Sequence, residues 1–263
     1  MIMDESSEEK EARSFFENVL GLTVVRVPSA VAKTPDFLVD GEVPGYVLEI
    51  KSRFDDESFA RELARGYTEV RSQSLGYARW AADNARNAMH QFASGDPLGS
   101  RFWVLWFAVK RLSATEAIFS QVIGTLYGVR QVAYWDEATE TAHGRECLFV
   151  VPGVFERWPQ IDAAIVTRGD AITLCVNEFT DRALAFQSSL LSQAFIRRGG
   201  PVRPSDLEAN RGFWSIADRT IDRSSEEAIR RYLSDRYNVK NVYVLDVKVH
   251  SASATVPRQR GES

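Results

Sequence analysis

The sequence predicts an α/β fold, on three observations. Apolar residues recur at helical spacing near the N-terminus, and short alternating runs punctuated by glycine and proline follow. Helix-like and strand-like stretches then alternate to near residue 250 with no visible repeat. With 263 residues, 44 % hydrophobic and 26 % charged, the chain can bury a sizeable core.

The elements follow in order. A helix spans Glu8 to Leu20, where Phe15, Phe16, Val19 and Leu20 share a stripe and Gly21 stops it. Thr23–Val27 is a strand. Phe37–Asp40 and Tyr46–Lys51 flank Gly41-Glu42-Val43-Pro44-Gly45, which reads as a hairpin. A helical stretch from Arg61 to Phe92 leads to the apolar strand Phe102–Val109. Beyond it come a helix at Ser113–Leu126 and strands at Val129–Trp135, Glu146–Val151, Asp162–Thr167 and Ala171–Val176. Helices at Asp181–Arg197 and Glu226–Tyr237 and a strand at Asn241–Val249 complete the series. The expected organisation is a core over 1–111, an α/β elaboration or second small domain over 112–250, and a disordered tail from Ser251 to Ser263.

Chemistry concentrates at Pro35-Asp36 and Glu49-Ile50-Lys51. Side chains alternate along a strand, so Tyr46, Leu48 and Ile50 face one way while Val47, Glu49 and Lys51 face the other. Antiparallel pairing of the hairpin brings Asp36, at the start of one strand, beside Glu49 and Lys51 at the end of the next. Mg²⁺ or Mn²⁺ takes hard oxygen ligands and uses one or two carboxylates, which Asp36 and Glu49 supply and the Ile50 carbonyl can supplement. An ammonium at Lys51 can orient an attacking water or offset charge growing on phosphorus. By average usage, Glu-x-Lys occurs roughly once by chance in a chain of this length, so its weight comes from the apolar strand around it and the preceding aspartate. The alternative is a surface ion pair between Glu49 and Lys51, with Asp36 capping a turn.

These residues resemble the PD-(D/E)XK nucleases, the restriction-endonuclease-like superfamily, and in particular its Holliday-junction-resolvase-like branch. The resemblance covers about residues 8 to 53 and extends more loosely to Lys110. It implies a core of helix, three strands, helix and strand, with a mixed sheet extended here by a C-terminal α/β half. It also implies a glutamate on the first helix, a role that Glu9 fits. Glu9 lies within about 20° of Phe16 and Leu20 on a helical wheel, while Glu8 aligns almost as well with Phe15 and Val19. Glu9 also completes Ser6-Ser7-Glu8-Glu9, a capping box. A glutamine facing the metal site is a further feature of several branches, and both Gln73, with Tyr77, and Gln91 compete for it.

The implied function is a Mg²⁺- or Mn²⁺-dependent nuclease, an endonuclease acting on DNA ahead of RNA, with Asp36, Glu49, Lys51 and Glu9 in catalytic roles. A homodimer would supply the two sites that duplex cleavage needs. Two alternatives stand beside it: a catalytically silent binding module of the same fold, and a nuclease gated by a ligand or partner.

The net charge of −4 is compatible with a nucleic-acid partner once it is located, because residues 1–20 carry six acids against Lys10 and Arg13 and the remainder is balanced. Arg61, Arg65, Arg79 and Arg86 fall within about 60° on one continuous helical wheel and would form a basic stripe, or simply a solvated face, unless Gly66 or Gly76 breaks the helix and scrambles the alignment. Arg197, Arg198, Arg203 and Arg211 form a second basic stretch. Cys147 and Cys175 have no metal-ligand spacing and read as reduced core residues of a cytoplasmic protein. No stretch is long and apolar enough to span a membrane, and His90, His143 and His250 form no motif.

Overall fold

Ser6 opens the first helix of the computed structural model, which describes residues 5–28, 34–54, 69–74, 78–110, 115–245 and 248–253. The Ser6 hydroxyl accepts from the Glu9 amide at 3.2 Å, and the Glu9 carboxylate accepts from the Ser6 amide at 2.6 Å. This capping box closes α1 (Ser7–Ser14). The helix continues through a wider turn at Phe15–Val19 and stops at Gly21, whose φ of 70° suits a residue without Cβ.

Three antiparallel strands follow: β1 (Thr23–Arg26), β2 (Phe37–Asp40) and β3 (Tyr46–Phe54), with Val24 opposite Val39 and Phe37 opposite Leu48. β3 then runs parallel to β5 (Phe102–Lys110), and β5 runs parallel to β8 (Ile161–Arg168). β9 (Ala171–Val176) closes the far edge antiparallel to β8, giving the order β1-β2-β3-β5-β8-β9. Parallel neighbours need long crossovers. The first crossover carries β4 (Glu69–Ser74) and α2 (Arg79–Gly95). The second carries α3 (Thr115–Tyr127), β6 (Arg130–Asp136), β7 (Thr141–Leu148) and the short α4 (Val154–Arg157).

Both faces of this sheet are covered, which is why β5 and β8 are apolar almost without alternation. On one face α1 packs Ala12, Phe15 and Phe16 against Tyr46, Leu48 and Trp106, joined by α5 (Ala183–Gln187) and α6 (Leu190–Ile196) through Phe186, Leu191 and Phe195. On the other face α2 lays Ala81, Ala85, Ala88 and Phe92 over Val47, Leu105 and Phe107. Alanines at the contact let the helix approach the strands closely.

A second sheet, β10 (Trp214–Ser215), β7, β6 and β11 (Lys240–Leu245), is backed by α8 (Glu226–Tyr237). Its Val132, Leu148, Trp214 and Val242 belong to the same buried cluster as the α2 alanines, so one core runs through both halves of the chain. Preceding β10 in the chain, α7 (Pro204–Arg211) ends at Gly212. The last strand, β12 (Lys248–Ser253), pairs antiparallel with β4 as a separate two-stranded ribbon.

Four sequence expectations change. The continuous helix from Arg61 to Phe92 is interrupted, because Glu69–Ser74 is a strand held by β12, and the helix begins only at Arg79. Arg61, Arg65 and Tyr67 lie outside the described residues, and Arg79 and Arg86 each pair with Asp83 on an exposed face. The helix expected over Asp181–Arg197 divides at Ser188 and Ser189, where the Ser189 hydroxyl caps α6 by accepting from the Ser192 amide. The expected strand Asn241–Val249 divides into β11 and β12, and β12 takes in Ser251–Ser253 of the expected tail. The remaining tail, 254–263, lies outside the described residues. The strand expected at Glu146–Val151 begins earlier, at Thr141, and ends at Leu148, followed by Phe149 at φ 61°. Cys147 and Cys175 are buried and unpaired. Among the described residues no helix is long and apolar enough to cross a membrane.

Candidate active site

β3 positions the centre of the site. Val47 on its α2 face belongs to the α2 cluster, while Tyr46, Leu48 and Ile50 belong to the α1 cluster. Strand alternation then puts Glu49 and Lys51 on the α2 face, as expected. Glu49 is only 1 % exposed, and its Oε1 accepts from Lys51 Nζ. Its Oε2 is fully buried with no hydrogen-bond partner among the described residues. An unsatisfied buried oxygen of this kind costs about 1–3 kcal/mol, more when ionised.

Asp36 arrives from the neighbouring strand. The register that sets Phe37 opposite Leu48 leaves Asp36 opposite Glu49. Its Oδ2 accepts from the Ile50 amide at 2.7 Å, prolonging the β2–β3 ladder through a side chain. In a strand, the N–H and C=O of one residue point toward the same neighbour. The Ile50 carbonyl is therefore directed to the edge where Asp36 sits.

Electrostatics follow from this crowding. Burial pushes the Glu49 carboxyl up to about 7, the Asp36 charge pushes it the same way, and Lys51 and Gln91 pull against both. Asp36 is also raised, first by burial and also by Glu9, against the Ile50 amide, Lys51 and Arg26. Two neighbouring carboxylates that both resist ionisation form a natural seat for a cation.

Glu9 approaches from the opposite side. α1 covers the other face of the sheet, and Glu9 pairs with Arg26 at the end of β1 at 3.1 Å while its second oxygen serves the capping box. It is close enough to raise Asp36 electrostatically. Glu8, the other candidate, is the more buried of the two at 3 % exposure.

Of the competing glutamines, Gln91 is brought to the site. Its Oε1 accepts from Lys51 Nζ at 3.0 Å, and its Nε2 donates to the Thr34 carbonyl at 3.1 Å. Gln73 lies on β4, and Tyr77 is outside the described residues. One turn beyond Gln91, Gly95 meets Pro35 so closely that a Cβ there would stand 2.4 Å from Pro35 Cγ. α2 thus grips the Thr34–Pro35 segment at two points and fixes the residue that follows, Asp36. Neither Gly95 nor Arg26 carried a signal in the sequence: a glycine near a helix end reads as a stop, and an arginine in a short strand as solvated.

The other expected positions lie elsewhere. Arg197, Arg198 and Arg203 sit on the α6–α7 connection, whose Val202 bridges to Cys175 of β9. β9 is three strands from β3 in the sheet, about 14 Å at ordinary strand spacing. Trp103, Trp106 and Trp214 are buried in the core, while Trp135 is 40 % exposed. Among the described residues no group of three or more His, Cys, Asp or Glu side chains is arranged to hold a metal ion. The carboxylate oxygens that converge are those of Asp36 and Glu49.

Comparisons with known proteins add no assignment: no protein-family model, no curated protein and no solved structure matches this chain.

Proposed function

We propose that this protein is a metal-dependent nuclease of the PD-(D/E)XK type that hydrolyses phosphodiester bonds, with DNA as the substrate. The observation that carries the reading is the buried, unpartnered Glu49 Oε2 beside Asp36, one strand step from the Lys51 ammonium. A purely structural Glu49–Lys51 ion pair has no use for a second desolvated oxygen, nor for a second carboxylate pressed against it.

In this reading Asp36, Glu49 and the Ile50 carbonyl hold Mg²⁺ or Mn²⁺. The ion supplies Lewis-acid stabilisation of a phosphoryl oxygen and a more acidic bound water. Lys51 donates to the incoming water or to the oxygen on which negative charge develops. Gln91 holds the Lys51 ammonium in place, and Glu9 adds negative potential at Asp36 from the end of β1. Burial of the group beneath α2 keeps the local dielectric low, which strengthens each of these interactions.

A second reading, a catalytically silent nucleic-acid- or protein-binding module, is favoured by one feature. Both Glu9 oxygens are engaged by Ser6 and Arg26, leaving two carboxylates for a metal. Incubating wild type and Asp36→Ala with supercoiled plasmid, single-stranded DNA and RNA in Mg²⁺, Mn²⁺ or EDTA separates the two. Metal-dependent cleavage by wild type alone supports the nuclease. Binding without cleavage by either protein supports the module. Equal cleavage by both removes Asp36 from the chemistry.

A further inference from the structure

A cavity of about 640 Å³ opens where α2 ends and where β5 and β8 begin. None of Glu9, Asp36, Glu49, Lys51 and Gln91 lines it. Its volume lies in the range of small-molecule sites, roughly 300–1,000 Å³. Ala93 of α2 forms part of the wall, between Gln91, which holds Lys51, and Gly95, which meets Pro35.

Most of the charge in this wall is already spent. Arg182 donates to Asp162 at 2.6 Å and to the carbonyls of Gly99, Arg101 and Gln160. Asp96 accepts from Ser100, from the Arg101 amide and from the Trp103 indole, and Glu156 pairs with Arg223. Two exposed charges remain, Arg219 and Asp181, whose side chains have neither an ion pair nor a hydrogen bond among the described residues. The Arg219 guanidinium is placed by an aromatic ring instead, its Cζ lying 4.3 Å from the Phe179 centroid. A guanidinium laid on a ring keeps its N–H edge for a ligand. The Gln160 side-chain amide is also unspent among the described residues, since only its backbone carbonyl is engaged. Beside these groups lies an apolar ledge of Pro97, Pro159 and Leu98, and Leu98 is 90 % exposed.

We infer that this cavity is a binding site for a ribonucleoside monophosphate. The fork of Arg219 suits a phosphate oxygen pair. Asp181 is acceptor-only when ionised, which suits the two hydroxyls of a ribose, and the Gln160 amide carries both a donor and an acceptor for a base edge. The ledge offers an apolar surface to the base. One unspent cation and one unspent carboxylate set the number of phosphates at one. A triphosphate would bring further negative charge toward Asp181 with no second free cation in the wall to meet it. The inference rests on this wall alone and stands apart from the nuclease reading, so either can fail without the other.

The experiment is isothermal titration calorimetry on the full chain in EDTA. The probes are the four common ribonucleoside 5′-monophosphates, with the deoxy, triphosphate and unphosphorylated form of the best binder, and inorganic phosphate. At least one monophosphate is expected to bind with a Kd of about 100 μM or tighter. Its deoxy form and its nucleoside should each bind about 10-fold more weakly, and its triphosphate should also be weaker. Arg219→Ala should weaken the monophosphate at least about 10-fold, with Arg219→Lys between it and wild type. Asp181→Ala should abolish the preference for ribose, and Asp36→Ala should bind as wild type does. Melting curves of each variant verify folding, and both substituted side chains are exposed. Absence of binding by every monophosphate up to about 5 mM overturns the inference. So does undiminished binding by Arg219→Ala. Inorganic phosphate binding as tightly as the nucleotide makes this a simple anion site and overturns the nucleotide assignment.

Discussion

Glu49 should make the metal-free protein lose stability as the pH rises from about 4.5 toward neutrality. Its carboxyl is pushed from an ordinary 4.5 up to about 7, chiefly by burial and next by Asp36. Between these values the folded state binds a proton that the unfolded state has released, so the slope of unfolding free energy against pH is negative there. The stability present below pH 4.5 is lost progressively up to about pH 7 and then levels off. The shift of about 2.5 pH units corresponds to about 3 kcal/mol at 1.36 kcal/mol per unit. For a chain of this size that is roughly 6–12 °C in melting temperature. Glu49→Gln keeps the shape and removes the titration. Melting curves in EDTA from pH 4 to 8 should therefore show wild type and variant together at pH 4 and the variant higher at pH 8. Asp36 is raised in the same direction and its charge is one cause of the Glu49 shift, so the comparison reads the titration of the coupled pair. Adding Mg²⁺ at pH 8 should raise wild type and leave Glu49→Gln nearly unmoved, because binding to the folded state adds its own stabilisation. Parallel profiles across pH 4.5–7 would refute the account of Glu49 as a desolvated carboxyl awaiting a cation.

Three further outcomes follow from the contacts around the site. Gln91→Ala removes the bonds to Lys51 and the Thr34 carbonyl, and should cost about 1–3 kcal/mol in urea titration. It should also slow cleavage about 10- to 100-fold while leaving duplex affinity in EDTA unchanged. Gly95→Ala forces a Cβ against the Pro35 ring and should cost about 1–3 kcal/mol, with cleavage falling as the Thr34–Pro35 segment moves; wild-type stability and activity in this variant would show that the segment yields freely. Asp162→Ala strips the Trp103 amide of its acceptor at 2.7 Å and Arg182 of its partner at 2.6 Å. Breaking such a pair costs about 3–5 kcal/mol when fully buried, and roughly 2–4 here because a quarter of the Arg182 side chain remains exposed, a loss readable by calorimetry.

The centre of the site was legible because strand alternation is a local rule. Tyr46 to Lys51 announce two faces, glycine and proline announce the turn, and the pairing of Asp36 with Glu49 follows from the hairpin. The capping box at Ser6–Glu9 was legible for the same reason. What the residues did not announce depends on partners distant along the chain. Glu69–Ser74 has no apolar alternation and becomes a strand only because Lys248–Ser253 lies beside it, well over a hundred residues later. Gly95 matters only because Pro35 passes within reach, and α6 separates from α5 because Ser189 finds the Ser192 amide before the helix can continue. Gln91 could be favoured over Gln73 by position, but its double contact needed the path of Thr34 to be known.

The joining of β4 to β12 also sets a clock on biosynthesis. β3, with its carboxylates and its ammonium, leaves the ribosome about 200 residues before Ser253 does, which at 5–20 residues per second is roughly 10–40 s. During that interval the nascent chain carries the reactive groups without the strand that fastens the segment after them. For part of it β5 also lacks β8, its parallel neighbour on the far side from β3. In this order of assembly the segment between β3 and α2 is fastened only once β12 has emerged, about 200 residues behind the carboxylates of β3.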